Sequence, residues 1–369
     1  MTNPRPVILV GGGTGGHIFP LVAIGEELAS RKIPFIFVGD ASGREKQIVE
    51  DYGWKFVGLR SGKFRRYWSV QAVGQNLVDL GRFGAGFFEA IGILSRSRAR
   101  VVFSKGGYVA LPMVLAAKLL GKKIVIHESD SVMGLTNRIS AKIAVKVLTA
   151  FAVEVFPSRT ARYEQVGIPI RRALRQAAQL KAPRKSKPLV FVIAGIQGST
   201  TINGLVRQAL PTLLPLADIV HITGEAEAAL HKNLVKNLSK KFQNAYKTSP
   251  FITRELPYYY QAADLIISRA SATTIAEAAL FAKPMYLIPL PSSAGNHQLK
   301  NAQHLQAAGA AILREEKNLV GETMAVDVQR ILADKAQMES LGSRLSRYFD
   351  EDKTVERIIE LITTLNNNG

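Results

Sequence analysis

The chain contains no cysteine. That excludes a disulfide framework, a thiolate metal site and a cysteine nucleophile, and it suits a reducing compartment. No run approaches the roughly 18 consecutive apolar residues of a membrane span. The longest candidate, Tyr108 to Ala117, is broken by Pro112 and closed by Lys118. The N-terminal stretch MTNPRPVILVGGG carries only a strand-length apolar run, too short for a signal peptide. Acidic residues are scarce, 29 against 48 Lys and Arg, for a formal charge of +19. Such a surface attracts nucleic acid, anionic lipid or phosphorylated substrates, while solubility is the plainer explanation. No zinc-finger spacing, RNP motif or helix-turn-helix accompanies the charge. A nucleic-acid binder is thus supported by electrostatics alone, and no nucleic-acid partner is expected.

What is present points to two α/β domains. At 369 residues and 47% hydrophobic content, the chain is long enough for two sizeable cores. Short apolar, β-branched segments occur at 6–12, 34–40, 101–106, 123–128 and 146–151. Helix-period stretches separate them, such as 20–31, where Pro20 suits a first helical turn and Leu21, Ile24 and Leu28 share a face. Strands without alternation, separated by helices, predict a parallel sheet covered on both faces. The rhythm restarts at 188–195 and continues at 218–224, 264–270, 284–290 and 310–314. The expected organisation is a first Rossmann-like domain at 1–165, a linker at 166–187 and a second Rossmann-like domain at 188–344. A C-terminal helix at about 345–369 is expected to cross back onto the first domain. The stretch 171–187 holds seven basic residues, no acidic ones and Pro183, as a linker entrance would.

The chemistry-bearing segments lie at strand ends. VGGGTGGH at 10–17 follows a strand and opens a helix, so its backbone N–H groups form an anion site. Gly11, Gly13 and Gly16 also satisfy GxGxxG, with Asp40 where a ribose-binding acid is expected, so an NAD(P)-dependent oxidoreductase remains open. It leaves unexplained His17, which is placed to act as a general base beside the anion. SKGGYVALP at 104–112 and HESDSVMGLTNRIS at 127–140 are further polar or glycine-rich strand ends, and ligands of open α/β sheets bind at such ends. In the second half, AGIQGST at 194–200 and SRASATTIAEAALF at 268–281 repeat the device. Glu277 reads either as a ribose ligand or as the partner of Thr274 in a capping box, and the spacing alone favours the box. AGNHQLKNA at 294–302 offers His297, Gln298 and Asn301 to sugar hydroxyls, or is a plain surface loop.

From Arg60 to Arg100, eight basic residues (Arg60, Lys63, Arg65, Arg66, Arg82, Arg96, Arg98, Arg100) face two acids, Asp79 and Glu89. Phe64, Tyr67, Trp68, Leu77, Leu80, Phe83, Phe87, Phe88, Ile91 and Leu94 are interleaved with them. The mixture fits docking on anionic lipid, or equally an amphipathic core helix with a basic outer face.

The order of motifs from VGGGTGGHIFP at 10–20 to HQLKNAQHL at 297–305 resembles the MurG family of inverting N-acetylglucosaminyltransferases of peptidoglycan synthesis. GGTGGH, GGYV, HE followed by GLTN, GIPIR at 167–171, QG after the second-domain strand and SRASATTIAE fall in family order. The resemblance implies a GT-B fold, two Rossmann-like domains whose parallel sheets face a central cleft. It implies UDP-GlcNAc as donor, a lipid-linked muramyl peptide (lipid I) as acceptor, and no bound cofactor or metal. His17 is then the catalytic base. Gly13, Thr14, Gly15, Gly16, Gly106, Gly107 and Tyr108 hold the acceptor diphosphate. Thr14, Gly15, Gly16, Asn137, Arg171, Ile196, Gln197, Ile252, Ala272, Glu277 and Gln298 contact the donor; for Glu277 the resemblance favours the ribose where spacing favours the box. A peripheral place on the cytoplasmic membrane face follows, with 60–100 on anionic inner-leaflet lipids; no protein partner is implied. The chain departs from the family at Asp130 (HESD for HEQN), at Ala194, Ile196, Ser199 and Thr200 in the second glycine loop, at Ile168 and at Ser271. These departures bear on the donor sugar more than on the reaction class, and a different UDP-sugar or lipid acceptor stays open.

Overall fold

The computed structural model describes residues 5–43, 45–62, 70–156, 162–183, 185–195, 198–349 and 353–367. The chain forms two compact units, one from Met1–Arg171 with Glu351–Gly369, the other from Arg172–Asp350.

The first unit opens with β1 (Val7–Gly11), α1 (Gly15–Ser30), β2 (Phe35–Asp40), α2 (Glu45–Asp51) and β3 (Phe56–Leu59). It continues with α3 (Val70–Ser97), β4 (Val101–Gly106), α4 (Ala110–Leu119) and β5 (Lys123–Glu128). Then come α5 (Leu135–Ala141), β6 (Lys146–Thr149) and β7 (Tyr163–Gln165). Its seven strands are parallel in the order β3-β2-β1-β4-β5-β6-β7.

The second unit runs α6 (Arg172–Ala178), β8 (Leu189–Ile193), α7 (Thr200–Leu213), β9 (Asp218–Ile222), α8 (Ala228–Asn237) and α9 (Lys240–Gln243). After these follow β10 (Tyr246–Ser249), α10 (Leu256–Ala262), β11 (Leu265–Ser268), α11 (Ala272–Leu280) and β12 (Met285–Leu287). It closes with α12 (His297–Ala307), β13 (Ile312–Leu313), α13 (Gly321–Ala333) and α14 (Lys335–Tyr348). Its order is β10-β9-β8-β11-β12-β13, again parallel. Both sheets are doubly wound, and the winding reverses between β1 and β4 and between β8 and β11.

The strands visible as apolar runs are those of the sheet interiors. Val7 to Val10 and Val190 to Val192 are fully buried, as residues covered by helices on both faces must be. Two strands have no such run, β7 (YEQ) and β10 (YKTS), and β3 has only the short FVGL interrupted by Gly58. All three are edge strands. An edge strand has one neighbour and carries polar residues outward, so hydrophobicity does not mark it. A second difference concerns Pro20. Helix α1 begins at Gly15, which puts Pro20 inside the helix. The Gly16 carbonyl therefore lacks its usual N–H partner four residues on.

Helix α15 (Thr354–Asn367) belongs to the first unit. Val355, Ile358, Ile359 and Ile362, at helical spacing, are no more than 1% exposed and join the core formed by β1, β4, β5 and α1. Thr354 Oγ1 donates to the Val166 carbonyl at its start, and Asn366 Nδ2 to the Arg5 carbonyl at its end. The segment expected to be a linker is packed at its start, where Ile168 and Ile170 are buried, and helical in α6, which buries Leu174.

Candidate functional site

In the first unit the two glycine segments meet at the switch point. Gly11 pairs with Gly106, and the β1–β4 register shifts there. Gly107 has φ +81°, and a Cβ on it would lie 2.7 Å from the Gly12 carbonyl oxygen and 3.3 Å from His17 Nδ1. Only glycine permits that backbone conformation and that approach. The Gly12 carbonyl can only accept, so His17 Nδ1, 3.1 Å away, carries the hydrogen and Nε2 the lone pair. Thr14 caps α1 by backbone position, but its Oγ1 lies 3.1 Å from His17 Nδ1 and does not cap. The first-turn N–H groups at Gly15 and Gly16 are thus left to an anion. Gly13, Thr14, Gly15, Gly16, His17, Gly106, Gly107 and Tyr108 form one cluster. Tyr108 packs so closely that a Cβ on Gly13 would meet its ring at 2.8 Å.

Asp40 does not offer itself to a ribose. Its Oδ1 accepts from Ser42 N and Oγ (2.8 and 2.7 Å), and its Oδ2 from Ser61 Oγ and Tyr108 OH (3.2 and 2.8 Å). Burial raises this carboxyl's pKa, but the bonds from Ser42, Tyr108 and Ser61 outweigh burial and hold it below its ordinary value. Two carboxylate oxygens accept about four hydrogen bonds, so the dinucleotide alternative loses its ribose ligand.

Behind the loops lies a buried ionic cluster that local pattern did not reveal. Lys105 is 1% exposed and donates to Ser129 Oγ at 2.6 Å. Burial pushes its ammonium down to about 8, against the opposing pull of Glu128 and Asp130. Glu128 accepts from Asp130 N, Gly134 N and Asn137 Nδ2, while burial and then Asp130 push its pKa up. His127 Nε2 donates to the Gly167 carbonyl at 2.7 Å, and burial followed by Lys105 keeps the ring neutral. Asn137 is likewise buried and gives its amide to the His127 carbonyl and Glu128. Its Oδ1 lies 2.7 Å from where a Cβ on Gly106 would be and is buried without a hydrogen-bond partner among the described residues. Arg171 stacks on Phe19 of α1, 4.3 Å from the ring centroid.

In the second unit, Ile193 pairs with Ser268, which places the loops after β8 and β11 side by side. The N-cap of α7, Ser199, accepts from Ile202 N. It also accepts from Arg269 Nη2 at 2.7 Å, and Arg269, 7% exposed, further binds the Ile288 and Pro289 carbonyls and Glu316. Glu316 in turn accepts from Thr201 at 2.8 Å. One buried guanidinium thus clamps both switch-point loops. Its partners lie 47 and 70 residues away, beyond any local pattern.

Helix α11 begins at Ala272 with Ser271 as N-cap, and that cap makes no side-chain bond. Thr274 is therefore inside the first turn, and the expected Thr274–Glu277 capping box does not exist. Glu277 is buried and accepts from Tyr260 OH at 2.8 Å. Thr273 Oγ1, in the first turn of α11, is buried without a partner among the described residues; the 268–281 motif contains it, but nothing in the spacing singles it out. Gln298 Oε1 is committed to Leu290 N, leaving Nε2 as the donor it presents. Asn301 is fully buried and donates to the Ala270 carbonyl, so it braces the turn instead of reaching a sugar. Ile252 is buried in the segment after β10. Ile196 and Gln197 lie outside the described residues, as do Lys63, Phe64, Arg65, Arg66, Tyr67, Trp68 and the side chain of Leu77. No cluster of His, Asp and Glu suited to a metal occurs among the described residues.

Comparison with known proteins agrees with this geometry. Residues 7–149 match the glycosyltransferase family 28 N-terminal domain and residues 189–367 its C-terminal domain. A Shouchella clausii protein named UDP-N-acetylglucosamine–N-acetylmuramyl-(pentapeptide) pyrophosphoryl-undecaprenol N-acetylglucosamine transferase is 34% identical, covering 89% of this chain and 91% of the relative. A Clostridium botulinum protein of the same name is 33% identical over 97% of this chain and 98% of its own length. The crystal structure of Acinetobacter baumannii MurG superposes with a TM-score of 0.76 at 23% identity, covering 98% of this chain and all of that one. A kitacinnamycin glycosyltransferase superposes at 0.75 with 15% identity, over 98% and 99% of the two chains. The chain belongs to glycosyltransferase family 28 and, within it, to the MurG family.

Proposed function

We propose that this chain transfers N-acetylglucosamine, with inversion, from UDP-GlcNAc to the muramyl pentapeptide carried on a pyrophosphoryl-undecaprenol lipid. That reaction converts lipid I to lipid II in peptidoglycan synthesis. The observation that carries the proposal is His17, with Nδ1 held by the Gly12 carbonyl and its ring against Gly107, beside two open anion-binding loops. Gly13 to Gly16 and Gly106 to Tyr108 hold the acceptor's diphosphate. In the second unit the α7 and α11 starts receive the donor's diphosphate, with Ile252, Ala272, Glu277 and Gln298 around the nucleotide and sugar.

In the reaction an acceptor hydroxyl oxygen attacks the anomeric carbon on the face opposite UDP. The new C–O bond forms as the bond to the UDP oxygen breaks, and the electron pair leaves with UDP. The hydroxyl proton passes to His17 Nε2. Helix N-termini and backbone N–H groups stabilise the charge on the departing diphosphate, and orientation supplies much of the remaining acceleration. The enzyme works peripherally at the cytoplasmic face of the membrane. No described helix is long and apolar enough to span it. On α3, Val78, Leu80 and Phe88 are 57, 55 and 72% exposed, and Arg96 is exposed on the same helix, a surface suited to anionic lipid.

UDP release from UDP-GlcNAc, followed with and without a soluble lipid I analogue, tests the proposal. Release that requires both substrates is expected. A folded preparation that releases UDP only with another UDP-sugar would move the donor assignment, with Asp130 the first residue to examine.

A further inference from the structure

The first unit contains a cavity of about 520 Å³ whose lining includes Asp40, Ser42, Arg60, Ser61, Arg82 and Tyr108. It is separate from the loop cluster by one side chain. The Tyr108 ring packs on Gly13, while its hydroxyl reaches across to Asp40 on the cavity side. The saturated Asp40 carboxylate ties together the end of β2, the segment after β3 and the turn before α4. The walls are thereby fixed without a ligand. At the mouth stand two exposed guanidiniums. Arg60 is 68% exposed by side chain and pairs through Nε with Glu89 at 3.2 Å. Arg82 is 62% exposed and has one long contact, 3.5 Å, to the buried Asp79. Each guanidinium has five donors in a planar fork, so most remain for a planar acceptor such as a carboxylate.

We propose that this cavity receives the peptide arm of the acceptor, with the peptide's terminal carboxylate on Arg60 and Arg82. The inference rests on the transferase function proposed above. It goes beyond it by assigning a place and a recognised chemical group to the part of the acceptor that does not react. Proximity supports it, since a group attached near a diphosphate held at Gly13 and Gly106 lies one tyrosine ring from the cavity. The free guanidinium donors support it as well. The lining carries two guanidiniums, the carboxylates of Asp40 and Asp79, and the hydroxyls of Ser42 and Ser61. With Glu89 on Arg60, three carboxylates stand against two guanidiniums, so the hydrogen-bonding lining suits a peptide with one carboxylate better than a polyanionic headgroup or a second diphosphate.

The test compares two soluble acceptors that differ only at the peptide end, a free carboxylate or a carboxamide, with wild-type chain and Arg60→Gln/Arg82→Gln. Wild type is expected to favour the carboxylate acceptor by about tenfold in KM, the scale of one charge-assisted hydrogen bond. The double variant is expected to lose that preference, with the change falling on acceptor KM and not on the KM for UDP-GlcNAc. A variant that retains the preference overturns the inference. So does one that loses partition onto anionic vesicles while both acceptor KM values stay put, because the arginines then serve lipid headgroups. Wild-type failure to transfer to either acceptor would sink the underlying transferase function, a result distinct from either of these.

Discussion

His17 and Arg269 act at the scale of single residues, and they fail differently when removed. His17 is half-buried in the first turn of α1, and its loss removes the proposed proton acceptor without opening a core. His17→Ala is expected to lower kcat by about 10²- to 10⁴-fold, measured at saturating substrates, with the thermal midpoint little changed. Retention of near-wild-type turnover would end its role as base. Arg269 is buried between four partners, and truncation leaves Glu316 without its ion-pair partner. Arg269→Ala is expected to cost about 3–5 kcal/mol in urea unfolding, and to raise KM for the donor in any protein that still folds. Only one of the two stands out in a linear string, the histidine at a glycine loop. An arginine whose partners come from three later or earlier segments looks like any surface cation until the sheet is wound.

At the scale of elements, α15 and the β9–β10 face show two ways of stabilising a doubly wound unit. The apolar stripe of α15 has the i, i+3, i+4, i+7 spacing that any amphipathic helix shows. What it covers is the first unit's core, although 182 residues separate its start from Arg172, where the second unit begins. Ile358 is fully buried there, and Ile358→Ala is expected to cost about 2–5 kcal/mol in unfolding free energy. A cost below about 1 kcal/mol would mean that the helix is not part of that core.

On the other unit, a directional chain of hydrogen bonds crosses β9, β10 and α8. Arg207 donates to His231 Nε2, His231 Nδ1 to the Tyr246 phenol oxygen, Tyr246 OH to His221 Nδ1, and His221 Nε2 to Asn203 Oδ1. Each histidine must accept once, so both are neutral. Burial first, then His231 and Arg207, push the His221 pKa down to about 3. The unfolded chain takes up that proton near 6.5 and the folded chain does not. Stability from this site is full above pH 6.5 and falls as pH drops from 6.5 towards 3. Denaturant titrations across that window should show the slope in the wild type and a flatter line in His221→Gln. An unchanged slope would place the acid sensitivity elsewhere.

At the scale of the whole molecule, the +19 charge and the exposed apolar residues of α3 act together. In the membrane docking proposed above, coulombic attraction brings the protein to an anionic surface and Leu80 and Phe88 insert shallowly. Sedimentation with anionic vesicles is expected to capture the chain at about 0.1 M salt and release most of it by about 0.5 M. Leu80→Ser/Phe88→Ser should weaken capture at every salt concentration. Equal capture by neutral vesicles would rule out the electrostatic half of this account.

Strand-length apolar runs such as VILV and LVFV already dictated parallel sheets with both faces covered, because alternation is absent only where both sides are buried. The glycines at 11–13, 106–107, 195 and 198 already marked the switch points, because positive φ and close backbone approach admit no Cβ there. Those are properties of a residue and its immediate neighbours, and a linear string carries them. Sheet winding alone decided which strands close the edges and that Asp40 spends its oxygens on Ser42, Ser61 and Tyr108. It also joined Arg269 to Ser199 and Glu316, and His221 to Tyr246 and His231. Such contacts depend on strand order and register across crossovers, and no short-range period in the sequence reports either.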